Sequence, residues 1–134
     1  VEPFLISSSL LGVLAQRLVR RLCSSCKEPT VLSDVACAEL GLDKEFINTQ
    51  IFRHHAGGCE VCQHTGYAGR SAIHELLVVD DLVRPLIMER ANASTIRAKA
   101  LGKRSLRSDS AEKILQGLTS VEEVMRVTQE DAQR

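Results

Sequence analysis

Leu22-Cys23-Ser24-Ser25-Cys26-Lys27 and Gly58-Cys59-Glu60-Val61-Cys62-Gln63 are the two stretches that decide how this chain folds. Two thiolates at Cys-x-x-Cys spacing reach one ion from a tight turn, and two such turns complete a tetrahedron. The 32 residues between the pairs exceed the commonest ribbon spacing. Loop-closure entropy grows only logarithmically, so the extra length costs about 0.5 kcal/mol relative to a loop of about 18 residues. Structural zinc contributes about 10–16 kcal/mol of apparent binding free energy in small zinc modules, so the spacing objection loses. One structural Zn2+ on Cys23, Cys26, Cys59 and Cys62 is therefore expected. Four protein ligands leave no open position, which makes the ion a fold staple and not a catalytic metal.

The competing readings of these thiols are weaker. A thioredoxin-like redox pair belongs at a strand-to-helix junction of a βαβ unit, which the pattern does not offer. Stable disulfides do not suit a cytoplasmic setting. Idle thiols do not explain two matched pairs. Cys37 lies off any ligand spacing and reads as a small buried hydrophobe. His54, His55 and His64 crowd the second pair and offer a variant with three cysteines and one histidine, which four cysteines make unnecessary. His74 reads as a packed or surface residue. Arg20, Arg21 and Lys27 flank the first pair and can offset the doubly negative charge of a zinc tetrathiolate centre.

Outward from the cysteines, residues 7–22 predict a helix, because Leu10, Leu14, Leu18 and Leu22 recur at i+4 behind candidate N-caps at Ser7 to Ser9. Its arginines suit a helix C-terminus and otherwise read as a solvated face. Between the pairs, a short helix is expected from about Ser33 to Leu40, ended by Gly41. A helical turn follows Asp43, and a brief strand spans Gln50–His54. Thr65 to Gly69 is turn chemistry, and Arg70–Val79 reads as a strand. Beyond it come four short helices. The first is capped by Asp80 or Asp81, with Pro85 straining its first turn. The second is capped by Ser94 and stops before Gly102. The third starts at an Asp109/Glu112 capping box and ends at Gly117, and the fourth starts at a Ser120/Glu123 box and runs to about Thr128. Gln129 to Arg134 is expected to fray.

Composition agrees with this layout. Aromatics are only 3% of the chain, so its core must be aliphatic, as in helix-on-helix packing. Seventeen basic residues balance 17 acidic ones, which supplies no general attraction to nucleic acid. No apolar run approaches the roughly 18–20 residues that span a bilayer. The first residues carry neither a basic n-region nor a small-residue cleavage site, so no signal peptide is expected. The sequence opens without Met inside an apolar-rich stretch and is expected to be part of a longer protein. It holds no phosphate-loop, dinucleotide, nucleophile-elbow or HExxH motif, so the 134 residues alone are expected to be inactive.

Three blocks, Ser8–Glu28, Gly58–Asp81 and Lys103–Thr128, closely resemble the C-terminal part of the type II secretion ATPase family, with type IV pilus assembly ATPases as near kin. The resemblance leaves out only the insert at roughly 30–50 and the polar tail. It implies a hexameric P-loop ATPase, using ATP and Mg2+, docked on the cytoplasmic face of the bacterial inner membrane and powering pseudopilus assembly. Its partners would be the upstream ATPase core, neighbouring subunits of a homohexamer, the inner-membrane platform and cytoplasmic proteins of the machine. On this resemblance residues 1–22 end a RecA-like ATPase domain, 23–62 form a tetracysteine zinc subdomain, and 63–134 form a C-terminal strand and helical subdomain. The fold class expected is α+β, predominantly α-helical, and the four cysteines fall on the family's metal positions. Gln16 and Arg17 would lie in the helix after the nucleotide-binding core, facing a neighbouring subunit or the nucleotide. Arg20 and Arg21 are candidate partner contacts. Ala72 and Ser110 stand where the family often has Gly. The alternatives are a pilus assembly ATPase and, from another class, a zinc-ribbon module binding nucleic acid.

Overall fold

The computed structural model describes residues 2–101 and 105–132. The chain is α+β, and its contacts divide it into two units, residues 1–15 with 74–105 and residues 16–73 with 106–134. Two long strands, β1 (Gly12–Leu22) and β4 (Tyr67–Val78), pair as a ribbon. A shorter antiparallel pair joins β2 (Glu28–Val31) to β3 (Gln50–Arg53), with Glu28 opposite Arg53 and Val31 opposite Gln50.

β1 corrects the expected helix at residues 7–22. A row of residues spaced by four lies on one face of a strand as well as on one face of a helix, so the leucine row could not separate the two. The strand buries Val19 and Leu22 and leaves Leu14 and Leu18 62% and 49% exposed, so the leucine row is split instead of forming one buried stripe. The real helix comes earlier, as α1 (Pro3–Ser9), with Pro3 in the first turn where no amide donor is needed. Ser7 to Ser9 therefore end a helix instead of capping one. Gln16 and Arg17 stand on β1, not on a helix.

In the first unit α1 lies against α3 (Arg84–Met88), and Arg84 Nε donates to Ser7 O at 2.9 Å. Its small core gathers Val79 and Val83 with Leu10, Leu77, Ile87 and Ile96. Asp80 caps the approach to α3 by accepting from the amides of Leu82 and Val83. Pro85 sits in the first turn of α3, so the strain expected there does not arise. The next helix, α4 (Ala93–Leu101), is capped by Asn92, whose Oδ1 accepts from Thr95 N, and not by Ser94.

In the second unit the aliphatic core is built from Val19, Leu32, Leu40, Ile51, Ile73, Leu106, Ile114 and Val124. Helix α2 (Asp34–Glu39) starts where expected, with Ser33 Oγ accepting from Ala36 N, and a single 3₁₀ turn follows at Lys44–Phe46. Cys37 is buried, its thiol directed at the carbonyls of Leu42 and Asp43. Helix α5 (Leu106–Leu115) begins three residues before Asp109, so Asp109/Glu112 is not its cap. Ser110 is fully buried, and its hydroxyl donates to Arg107 O at 2.9 Å. Helix α6 (Val121–Ala132) has Ser120 Oγ accepting from Glu123 N, as the sequence indicates. It runs past Thr128, so Gln129 to Ala132 are helical. Residues 133 and 134 lie outside the described residues.

Candidate metal centre

The first cysteine pair is held in place from outside. β1 ends at Leu22, whose amide donates to Leu118 O at 2.9 Å, and Cys23 N donates to Gly66 O at 3.0 Å. Cys26 N and Lys27 N then turn back onto Cys23 O at 3.3 and 3.0 Å. Just upstream, Arg20 N and its guanidinium donate to the carboxylate of Glu123, which is 1% exposed. Arg126 reaches the same carboxylate from one turn along α6, and Thr119 Oγ1 donates to Arg20 O at 2.8 Å. Burial opposes ionisation of Glu123, but two guanidiniums and an amide outweigh it and hold the carboxyl down to about 2. Lys27 Nζ donates to Gly117 O at 3.0 Å and lies 4.3 Å from the centroid of the Phe52 ring.

The second pair is shaped by its own backbone. Gln63 and His64 take positive φ angles of 57° and 63°, and His64 N donates to Cys59 O at 2.8 Å. Gly58 has φ 61°, and a Cβ there would stand 2.4 Å from His64 C, so only glycine fits. Gly66 is likewise required, because its Cβ would meet His54 Cβ at 2.9 Å. Its amide donates to Cys62 Sγ at 3.1 Å, beside Cys59 N at 3.2 Å. Burial raises the Cys62 thiol, but these two amides and the neighbouring thiols outweigh it and pull the group down to about 6. Cys26, desolvated and facing the other three sulfurs, is pushed up to about 12.

The four sulfurs of Cys23, Cys26, Cys59 and Cys62 all lie within 4.8 Å of one another. Cys23–Cys59 and Cys59–Cys62 are 3.8 Å apart, and Cys26–Cys62 are 3.9 Å apart. Zinc–sulfur bonds of about 2.3 Å in a tetrahedron require sulfur–sulfur edges of about 3.8 Å, so the donor set fits Zn2+ by size and by chemistry. Amide N–H groups aimed at a sulfur are the outer partners that hold a ligating thiolate in place.

The other sequence candidates separate from the cage, which contains no histidine among the described residues. His55 pairs with Glu28, and His54 stacks on Tyr67 with ring centroids 5.2 Å apart. His64 Nδ1 lies 3.2 Å from Gly57 O, and His74 is at an exposed position of β4. Arg17 Nη1 donates to Gln16 O. Arg21 is exposed, whereas Arg20 is committed to Glu123 and lies 4.2 Å from the Tyr67 ring centroid. Sequence reasoning missed Glu123 as an anchor. Its one signal was the Ser120-x-x-Glu123 spacing, which places Glu123 in the first turn but does not reveal that its carboxylate leaves the helix for β1.

An α+β chain whose four thiols form a cage of tetrahedral dimensions is a tetracysteine knuckle module. A family model described as "Type II/IV secretion system protein" matches residues 1–126. The chain is 51% identical to the type II secretion system ATPase E of Vibrio cholerae, over 97% of this chain and 25% of that protein. It is 48% identical to the type II secretion system protein E of Dickeya dadantii, over 98% of this chain and 26% of that protein. The type IV pilus assembly ATPase PilB of Thermus thermophilus is also 48% identical, over 96% of this chain and 14% of that protein. The chain belongs to the type II/IV secretion system protein family. It spans about a quarter, or less, of the length of these relatives.

Proposed function

We propose that this chain is the zinc-containing C-terminal portion of a hexameric ATPase that drives type II protein secretion from the cytoplasmic face of the inner membrane. The observation that carries the reading is the four-thiol cage, its sulfurs all within 4.8 Å and three of its edges 3.8–3.9 Å, in a chain so similar to proteins named as secretion ATPases. ATP and Mg2+ belong to the intact parent, since these residues contain no phosphate loop. Residues 1–22 complete a RecA-like domain, 23–62 form the zinc subdomain, and 63–134 form the C-terminal subdomain with its helices. Bound zinc is structural, making residues 23–62 a rigid platform for contacts inside the homohexamer or with the membrane platform and other cytoplasmic components. Gln16 and Arg17 remain the candidate contacts to a neighbouring subunit or the nucleotide edge, from β1 instead of a helix. Arg21, exposed where Arg20 is already paired, is the better partner contact of the two.

The pilus-assembly relative is as similar as the secretion protein of Dickeya dadantii, so the choice of secretion rests on local words such as Glu75–Asp81. The test is a Cys59→Ser/Cys62→Ser variant of the intact parent, followed for zinc content, ATP hydrolysis, exported protein and surface pili. Loss of zinc with loss of export supports the reading. Unimpaired export with pili lost selects pilus assembly, and normal export and pili in a zinc-free protein contradict both. Arg21→Glu is expected to impair export at normal zinc content.

A further inference from the structure

A second feature of the larger unit lies outside the thiol cage. A pocket of about 360 Å³ is lined by Arg20, Thr65, Tyr67, Gly69 and Arg70, with no acidic side chain among its walls. Glu123 neutralises only part of this charge, because its single carboxylate is shared between Arg20 and Arg126. Arg70 makes no ion pair among the described residues and is exposed. Of the two arginines lining the pocket, Arg20 on β1 is paired with Glu123 and Arg70 on β4 is the one left to meet an anion.

We propose that this pocket binds a phosphate-type oxyanion, held by the guanidinium of Arg70 beside the pre-oriented one of Arg20. Arginine forks match the oxygens of such an anion and bind it through paired charge-assisted hydrogen bonds. Arg20 loses little freedom on binding, since Glu123 and the Tyr67 ring already fix it. The same packing withholds Tyr67 from a nucleobase. The Tyr67 ring already stacks with the Arg20 guanidinium and the His54 imidazole, which leaves no aromatic platform. The ligand is therefore the phosphate group itself, either free phosphate or the headgroup of an anionic lipid.

The test uses the zinc-loaded 134-residue chain, titrated calorimetrically with inorganic phosphate and, separately, mixed with phosphatidylglycerol vesicles for co-sedimentation. The variants are Arg70→Gln, Arg70→Lys and, as a control, Lys44→Gln on the exposed 3₁₀ turn. Saturable phosphate binding that weakens about tenfold in Arg70→Gln and less in Arg70→Lys, at unchanged zinc content, supports the site with free phosphate as ligand. Vesicle binding with that same dependence, and no response to phosphate, supports it with a lipid headgroup as source. Binding reduced equally by Lys44→Gln means general surface charge and overturns the proposal. So does the absence of binding in both arms.

Discussion

The two cysteine knuckles supply the same four sulfurs by opposite means. The first is positioned by its neighbours: Leu118, Thr119 and Glu123 fasten the end of β1, and Lys27 closes onto Gly117. The second is positioned by its own chain, through Gly58, Gly66 and two consecutive left-handed residues. The amide groups follow this division. Cys62 receives two N–H donors and is pulled down to about 6, while Cys26 is pushed up to about 12. A knuckle at the end of a strand can borrow its geometry, whereas one inside a loop must build it locally.

Removing the metal should erase the difference, and is the largest effect expected. A Cys59→Ser/Cys62→Ser chain forfeits a binding free energy on the order of 10 kcal/mol. It should lose the folding transition of the second unit in thermal unfolding followed by circular dichroism. Breaking the external anchor is a separate test. Glu123→Gln leaves two half-exposed guanidiniums facing a neutral group, at a cost of about 1–3 kcal/mol. It should lower the unfolding midpoint with zinc still bound.

The pH dependence of that anchor has a definite sign. The folded Glu123 pKa of about 2 lies below the ordinary 4.5. Its contribution is thus fully present above about pH 4.5 and is lost as the pH falls toward 2. Unfolding midpoints of the parent chain and Glu123→Gln should converge across that window; a constant gap would contradict the assignment.

Gly58→Ala strikes the internal device and should cost about 2–4 kcal/mol, seen as weaker zinc retention against a competing chelator. A change inside the first knuckle, Ser24→Ala, is at an exposed position and should stay within about 0.5 kcal/mol. Equal penalties at the two positions would dissolve the contrast between the knuckles. Ser120→Ala should cost about 1 kcal/mol through loss of the α6 cap.

How much was legible in the sequence divides along similar lines. The cysteines could be read because their spacing is local and the chemistry admits few alternatives. α2, the turn after Asp43 and β3 were legible for the same reason. The segment 7–22 was misread because leucines four apart satisfy both periods, and only pairing with β4 decides between them. The caps of α4 and α5 were displaced because several polar residues compete at each start. Glu123 was found as a helix-start residue but not as an anchor, since its partner Arg20 is 103 positions away. Long-range pairing of that kind leaves no local trace.

The central claim is tested most directly by metal content. Protein purified without added metal is analysed for zinc, and reactive thiols are counted before and after chelation. The predicted result is close to one zinc per chain, with the thiols of Cys23, Cys26, Cys59 and Cys62 protected before chelation and reactive after it. A well-folded chain with no zinc and those four thiols already reactive would contradict the account.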